Sequence, residues 1–273
     1  MKYLWSFTLF VLLACQSSAP DSSKRQDGPT QVALHTTLGT IVLQLSDSTP
    51  LHRDNFIKNV REGILDSTLF HRVIDQFMIQ AGDPESKNAL PEDTLGNGDL
   101  DYTVPAEIKA DLFHKRGALG AARDNNPARA SSAVQFYIVQ RGPRPDSLID
   151  RDETRINGWL AENYVMNAPQ YQYLQDSMQK AYTVYDMELY NWVNQTVRQI
   201  ADSLGLDQQY TIPETHRSVY RTLGGTPHLD QNYTVFGEVV SGMEIVDSIA
   251  HTSTNELDRP LTDIRILSAE IIK

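Results

Sequence analysis

One stretch in the first third of the chain decides its fold: Phe70-His71-Arg72-Val73-Ile74-Asp75-Gln76-Phe77-Met78-Ile79-Gln80-Ala81-Gly82-Asp83. The apolar runs Leu69 to Val73 and Phe77 to Gln80 predict two strands. Arg72 lies among apolar neighbours, where a charge is costly to bury unless it has a partner. This arginine is a candidate functional residue; the alternative is a solvated charge at a strand edge. Its neighbour His71 is predicted to be a core histidine, because adjacent strand residues point to opposite faces.

Regular patterns on either side predict the surrounding elements. Val32 to Thr36 and Ile41 to Leu45 alternate apolar and polar residues around a short turn, which predicts a β-hairpin. Pro50 to Gly63 predicts an amphipathic helix, with proline near its start and glycine at its end. Ile264 to Ile272 predicts a last strand. These spacings do not by themselves predict that the strands close into a barrel.

Three blocks of the sequence together resemble the cyclophilin family of peptidyl-prolyl isomerases. The first is the stretch already quoted. The others are Gly117-Ala118-Leu119-Gly120-Ala121-Ala122-Arg123 with Ser132-Ala133-Val134-Gln135-Phe136-Tyr137-Ile138, and Thr234-Val235-Phe236-Gly237-Glu238-Val239-Val240-Ser241-Gly242-Met243-Glu244-Ile245-Val246. The resemblance implies a mainly β fold with α, a closed eight-stranded antiparallel barrel with two capping helices. It also implies an active site on the outer face of that barrel.

The resemblance further implies roles for ten residues. Arg72 matches the catalytic arginine, and Gln80 matches the residue that orients it and contacts the substrate carbonyl. The substrate-binding positions are Phe77, Met78, Ala122, Gln135, Tyr137, His228, Leu229 and Tyr233. His228 falls where many family members carry a tryptophan that binds cyclosporin, which implies weak cyclosporin inhibition. For the apolar members, the alternative is ordinary barrel core.

The implied reaction is rotation about an X-Pro bond. The partial double-bond character of amides gives a barrier of ~18–20 kcal/mol. No bond is made or broken, so no nucleophile is needed. In the twisted amide the nitrogen loses conjugation and becomes basic, so a fixed cationic donor beside it lowers the barrier. Arginine suits this role, because it is always charged and its forked group can hold a neighbouring carbonyl as well.

The composition excludes several classes of protein. The chain has 273 residues, of which 40% are hydrophobic, so it can bury a core and is not expected to be disordered. Its formal net charge of -11 argues against nucleic-acid binding, because no basic surplus displaces counterions from phosphates. The single cysteine excludes an intrachain disulfide framework and multi-cysteine metal sites, and the histidines show no metal-ligand spacing. We therefore expect no metal and no cofactor.

The first 30 residues predict a targeting signal and a tether. Tyr3 to Leu13 is an apolar run with the length of a signal-peptide core, too short to span a hydrocarbon layer of ~30 Å as a helix. It ends in Leu12-Leu13-Ala14-Cys15, which resembles the bacterial lipobox. Residues 1–14 are thus predicted to be a lipoprotein signal peptide, Cys15 the lipidation site, and residues 15–30 a flexible tether. The alternative is a buried cysteine in an N-terminal helix.

Lipidation of Cys15 would place the protein in the cell envelope. We expect it to be anchored by acyl chains such as palmitate to a bacterial membrane, facing the periplasm or the outside.

The rest of the chain divides into a barrel, residues 31–141 and 226–273, and a helical insertion, residues 142–225. Spacings of three and four define an amphipathic stripe: Tyr171, Leu174, Met178, Tyr182, Tyr185, Leu189, Trp192, Val193, Val197, Ile200 and Leu204. They predict a long helix broken near Thr183-Val184, after a shorter helix at Asp150 to Val165. Either the stripe packs against the barrel or itself, or the arm selects and holds unfolded chains at the active-site rim. The sequence leaves both open.

Two functions therefore fit the sequence. The first is a membrane-tethered prolyl isomerase that acts on proline-containing unfolded or extended polypeptide segments of folding envelope proteins. The second is a chaperone or scaffold lipoprotein that binds proline-containing segments without significant catalysis. Arg72 favours the first, since a pure binder could have lost this residue and kept the pocket.

Overall fold

A computed structural model describes residues 28–206 and 210–273. The predicted signal peptide, Cys15 and most of the predicted tether lie outside the described residues. Within those residues, no helix combines the length and the apolar character needed to cross a membrane.

The main element is a curled antiparallel sheet of eight strands. Its strands in chain order are β1 (Gln31–Thr36), β2 (Gly39–Leu45), β3 (Arg72–Ile74), β4 (Met78–Ala81), β6 (Ala118–Ala121), β8 (Phe136–Val139), β9 (Val235–Ser241) and β10 (Ile266–Ile271). Their spatial order is β10-β1-β2-β9-β6-β8-β4-β3. The predicted hairpin is present, with Thr36 opposite Gly39 and Gln31 opposite Gln44. Two short strands, β5 (Thr103–Val104) and β7 (Ser131–Ser132), form a separate pair.

The prediction of a closed barrel is wrong, because the two edge strands of the sheet do not form a ladder with each other. β3 and β10 lie at opposite ends of the strand order. The contact between the two edges runs through the segment before β3. There Leu69 bridges Arg265, the Phe70 amide donates to the Ile264 carbonyl at 2.9 Å, and the Ile266 amide of β10 donates to the Thr68 carbonyl at 2.9 Å. All three residues of β3 pair with β4, and β10 pairs along its length with β1. The sheet therefore curls into a half-barrel with one strand-to-strand seam left open.

The concave face of the sheet holds the main core. β2 buries Ile41, Leu43 and Leu45 and leaves the residues between them partly exposed, as a period of two requires. Two helices cover this core, α1 (Pro50–Arg61) through Phe56 and α6 (Met243–Ala250) through Val246. The convex face of strands β4, β6, β8 and β9 remains available for a second layer of contacts.

The described residues of the predicted insertion form four α-helices: α2 (Asp146–Asn167), α3 (Gln172–Val184), α4 (Met187–Ser203) and α5 (Glu214–Thr222). The predicted long helix is broken at Tyr185, which has a left-handed backbone with φ of +55°, and Asp186 caps α4 by accepting from the Leu189 amide at 3.0 Å. The apolar stripe packs within the arm: Ala161, Val165, Leu174, Val193, Val197 and Ala201 form one buried cluster. α5 instead packs against the first half of α2, where its Tyr220 is fully buried in a cluster with Ile149 and Ile156.

Candidate active site

A cavity of about 320 Å³ lies on the convex face of the sheet. Eight of the ten sequence-predicted residues line it: Arg72, Phe77, Met78, Gln80, Ala122, Tyr137, Leu229 and Tyr233. They come from β3, β4 and the residue before it, the segment after β6, β8, the 3-10 helix Pro227–Leu229 and the segment between that helix and β9. The structure thus brings together residues that are up to about 160 positions apart in the chain.

The apolar wall of this cavity is distinct from the main core. Along β8, Phe136 and Ile138 point into the main core, whereas Tyr137 and Val139 belong to a second cluster with Met78 and Leu229. The alternation of strand side chains produces this separation. The apolar candidates are therefore not part of the main core; they form a pocket wall on its outer side.

The polar candidates stand in a row across neighbouring strands. Arg72 on β3 is opposite Gln80 on β4, and Gln80 is opposite Tyr137 on β8. Opposite Tyr137 on β6 is Gly120, where an added Cβ would come within 2.3 Å of the tyrosine ring. The row therefore presents a guanidinium, an amide and a phenol side by side, and only glycine leaves room for the phenol.

The structure changes the expected partners of Arg72. The guanidinium Nε lies 3.4 Å from an Asp258 carboxylate oxygen, and the arginine side chain is 43% exposed. The Gln80 amide donates to the Gln135 Oε1 at 3.0 Å. Gln135 in turn donates to the carbonyls of Gly96 and Gly98, at 2.9 and 2.7 Å. Gln80 is thus positioned by Gln135, and the ion pair with Asp258 holds the arginine at the rim.

His228 lies behind the cavity rather than on its surface. Its ring stacks on Phe77 at 5.6 Å between centroids, and its Nδ1 lies 3.7 Å from Asp152 of α2. Asp152 is itself paired with Arg144 at 2.5 Å. Burial, with the nearby positive charges of Arg155 and other groups, lowers the pKa of His228 to about 3. Phe77, which lines the cavity, is thus supported from behind by a neutral ring that contacts the insertion.

Sequence reasoning missed a buried polar network below the pocket. The Tyr137 hydroxyl lies 2.8 Å from Nε2 of His114, and the His114 Nδ1 lies 2.7 Å from Asp230. The Tyr220 hydroxyl of α5 donates to the other Asp230 oxygen at 2.5 Å. Because Asp230 can only accept from Nδ1, Nε2 carries the lone pair and Tyr137 donates to it. Burial raises the pKa of Tyr137 and of Tyr220 well above the usual value.

His71 is buried, as predicted, with 3% of its surface exposed, and burial lowers its pKa to about 4. It immediately precedes β3, and both His71 and Arg72 line the cavity. Gly96 and Asn97 also line this cavity.

Most of the chain matches a known protein family. Residues 31–165 and 205–271 match the profile of the family described as "Cyclophilin type peptidyl-prolyl cis-trans isomerase/CLD". A Staphylococcus haemolyticus protein named "Putative peptidyl-prolyl cis-trans isomerase" is 27% identical over 247 residues, 90% of this chain and 93% of that protein. A protein of the same name from Staphylococcus saprophyticus is 27% identical over 244 residues, 89% of this chain and 92% of that protein.

Solved structures show the same fold. The crystal structure of a Cryptosporidium parvum cyclophilin type peptidyl-prolyl cis-trans isomerase superposes with a TM-score of 0.53 at 18% identity, covering 90% of this chain and 99% of that one. A structure of that protein in the presence of the dipeptide Ala-Pro gives a TM-score of 0.51 at 18% identity, covering 89% and 99%.

Proposed function

The chain belongs to the cyclophilin-type peptidyl-prolyl cis-trans isomerase family, and we propose that its X-Pro bond rotation takes place in the convex-face cavity with Arg72 as the catalytic cation. The observation that carries this proposal is the row of Arg72, Gln80 and Tyr137 beside the apolar wall. A proline ring and a polar amide need such neighbouring surfaces.

The apolar wall would hold the proline ring. The proline ring would contact the side chains of Phe77, Met78, Tyr137 and Leu229. The His228 ring stacks on Phe77 and restricts its motion. The wall gives the ring no hydrogen bond that would favour one isomer. The flanking backbone would lie over Ala122 and Gln135, next to the amide of Gln80.

Arg72 would act on the twisted amide. Its side chain is half-exposed, so the guanidinium reaches the cavity without the free-energy cost of burying a charge completely. The ion pair with Asp258 restricts its motion. As the amide twists, the nitrogen lone pair becomes available and accepts a hydrogen bond from the guanidinium. The stabilisation is greater in the twisted state than in either planar isomer, which is the condition for catalysis.

Replacement of Arg72 by alanine tests this assignment. We expect Arg72→Ala to lower kcat/KM for a proline-containing tetrapeptide by roughly 10²–10³-fold, as for loss of one preorganised donor to a transition state. A protease-free isomerisation assay followed by NMR line shape or absorbance measures it. Arg61→Ala, at an exposed position in the last turn of α1, is the matched control.

A rate for Arg72→Ala equal to that of the wild type would contradict the role of this residue. Binding of the tetrapeptide by the wild type without any turnover would instead support the chaperone or scaffold alternative.

We propose further that the protein works at a membrane surface, attached through Cys15. The support is the lipobox-like Leu12-Leu13-Ala14-Cys15 and the polar residues after it. A flexible coil of sixteen residues would have a root-mean-square length of roughly 20–24 Å and a fully extended length of roughly 53–58 Å. Such a tether would let the cavity reach segments close to the bilayer, where envelope proteins fold.

Substitution of the cysteine tests the anchor. Cys15→Ser is expected to move the protein from the membrane pellet to the soluble fraction of a bacterial host, and to abolish incorporation of labelled palmitate, because the thiol is the only one in the chain. Ser17→Ala, in the same segment, is the control. Retention of Cys15→Ser in the membrane fraction would show that the attachment lies elsewhere.

A further inference from the structure

A second and larger cavity, about 720 Å³, adjoins the candidate active site. It lies between the loop after β6, residues 123–129, and helices α2, α3 and α4; we call it the arm groove. Much of its lining belongs to residues 166–204, the part of the chain outside the family match. The arm groove is therefore a feature added to the family fold.

The two cavities share part of their lining. Arg123 and Tyr233 line both. The Arg123 guanidinium lies over the Tyr233 ring at 4.7 Å and donates to the Asn232 carbonyl at 3.1 Å and to its side-chain oxygen at 2.7 Å. These contacts hold both side chains at the boundary between the active-site cavity and the arm groove.

The arm groove is formed before any ligand binds. The side chains of Asn163 and Asn167 on α2 both donate to the Pro127 carbonyl, at 2.8 and 3.1 Å, and so tie the loop to the arm. Residues of the apolar stripe pack into a buried cluster within the arm, and this cluster holds α3 and α4 against α2. A preformed groove costs less ordering entropy on binding.

The lining matches an extended peptide. It combines side-chain amides such as Asn125 and Asn194, which can pair with backbone groups, with the rings of Trp159, Tyr182 and Tyr190. Tyr182 and Tyr190 meet edge to face at 5.7 Å, and Tyr182 keeps 47% of its surface exposed. Exposed aromatic surface beside amides suits the side chains and main chain of an unfolded segment.

Two arginines at the groove lack carboxylate partners among the described residues. Arg123 donates to the carbonyls of Asn232 and Asp124, and Arg129 donates to the carbonyl of Gln231 at 2.5 Å. Arg129 also has a left-handed backbone, φ of +54°, which is rarely adopted by residues with a side chain. The other arginine of the groove, Arg198, is paired with Glu162 at 3.0 Å. The groove lining thus holds three arginines, Arg123, Arg129 and Arg198, against two carboxylates, Glu162 and Asp176. One positive charge is in excess there, in a chain whose net charge is -11.

We propose that the arm groove binds the substrate polypeptide beyond the residues that flank the proline, and that Arg123 and Arg129 favour an acidic side chain on that segment. This inference rests on the proposed function of the active-site cavity. It assigns the arm a role in substrate selection that is separate from the rotation step.

The test compares a proline tetrapeptide with two longer peptides that carry a single proline and extensions on both sides, one with glutamates and one with glutamines in the extensions. Tyr182→Ala is expected to lower kcat/KM for the longer peptides about 5-fold through KM, in line with the loss of one aromatic contact. The same substitution should change kcat/KM for the tetrapeptide by no more than about twofold. Tyr173→Ala is the control, because Tyr173 is 48% exposed on the same helix and lies outside the groove.

The charge preference is tested by Arg129→Gln. It is expected to lower kcat/KM about 3- to 10-fold for the glutamate peptide and to leave the glutamine peptide unchanged, as for loss of a close ion pair. Arg151→Gln, at an exposed position of α2 outside the groove, is the control. Unchanged kinetics of the longer peptides in both Tyr182→Ala and Arg129→Gln would overturn the inference. A wild type inactive on the tetrapeptide would instead overturn the proposed function.

Discussion

Tyr137 shows how one hydroxyl in an apolar pocket affects the residues around it. The ring occupies space that only Gly120 leaves free, and the hydroxyl reaches His114 at 2.8 Å. His114 and Asp230 are 1% and 3% exposed, so neither can turn to water if a partner is lost. A phenylalanine at position 137 would fill the same pocket but would leave the His114 Nε2 unpaired.

Tyr137→Phe is therefore expected to lower the free energy of unfolding by about 1–3 kcal/mol, the cost of leaving one buried polar atom without a partner. Urea-induced unfolding followed by circular dichroism measures this change. Tyr164→Phe, at a position that is 51% exposed, should change the free energy by less than ~0.5 kcal/mol. A Tyr137→Phe variant as stable as the wild type would show that the hydrogen bond to His114 contributes nothing net.

At this scale the sequence predicted the residues that carry local motifs and missed the rest. Arg72, Gln80 and Tyr137 were found because each stands in a block that resembles the family. His114 and Asp230 are 116 positions apart, and neither stands in a recognisable pattern. Asp258, the partner of Arg72, was missed for the same reason. Contacts across the fold leave no trace in one sequence unless a motif contains both partners.

Among the elements, α2 and α5 are integrated with the barrel to a degree that the sequence did not suggest. α2 places Asp152 next to His228, the ring behind Phe77. α5 places Tyr220 on Asp230, below Tyr137. Both helices lie inside the predicted insertion 142–225, yet they support the pocket from behind. The match to the family resumes at residue 205 and so includes α5.

The outer part of the arm is different. α3 and α4 form their own cluster with the end of α2, and their outward residues line the arm groove. The periodicity of apolar residues predicted these helices and their break, because amphipathic helices record burial at every third or fourth position. It could not distinguish packing within the arm from packing on the barrel, since both bury the same stripe.

Across the whole molecule, the pairing of β1 with β2 was predictable because a two-stranded hairpin is local, whereas the closure of the sheet was not. Leu69 and Arg265, which form one of the few contacts near the two edges, are nearly 200 residues apart. A three-residue β3 leaves too little strand for a ladder there. The family resemblance implied eight strands, which the sheet has, and a closed barrel, which it is not. The resemblance did not show how short β3 is, because β3 ends where the chain turns away at Asp75.

Buried neutral histidines make the stability of the whole chain depend on pH. The pKa of His71 is lowered to about 4 and that of His228 to about 3, mainly by burial. Each ring takes up a proton near pH 6.5 when the chain is unfolded but not when it is folded. The unfolded state therefore binds more protons between about pH 6 and pH 4, and the contribution of both groups to stability is present above pH 6.5 and lost as the pH falls.

The expected result is a free energy of unfolding that declines between pH 6 and pH 4.5 by up to about 1.4 kcal/mol per pH unit for each of the two histidines. Urea titrations at half-unit steps of pH measure the slope. In His228→Gln, whose side chain stays neutral throughout, the slope should fall by about 1.4 kcal/mol per pH unit, whatever the change in stability at pH 7. The groups that face this ring, Asp152 from α2 and the arginines 141, 144 and 155, remain in the variant. If the wild type and His228→Gln have the same slope, the ring of His228 is protonated in the folded chain, and the neutral wall behind the proline pocket does not exist.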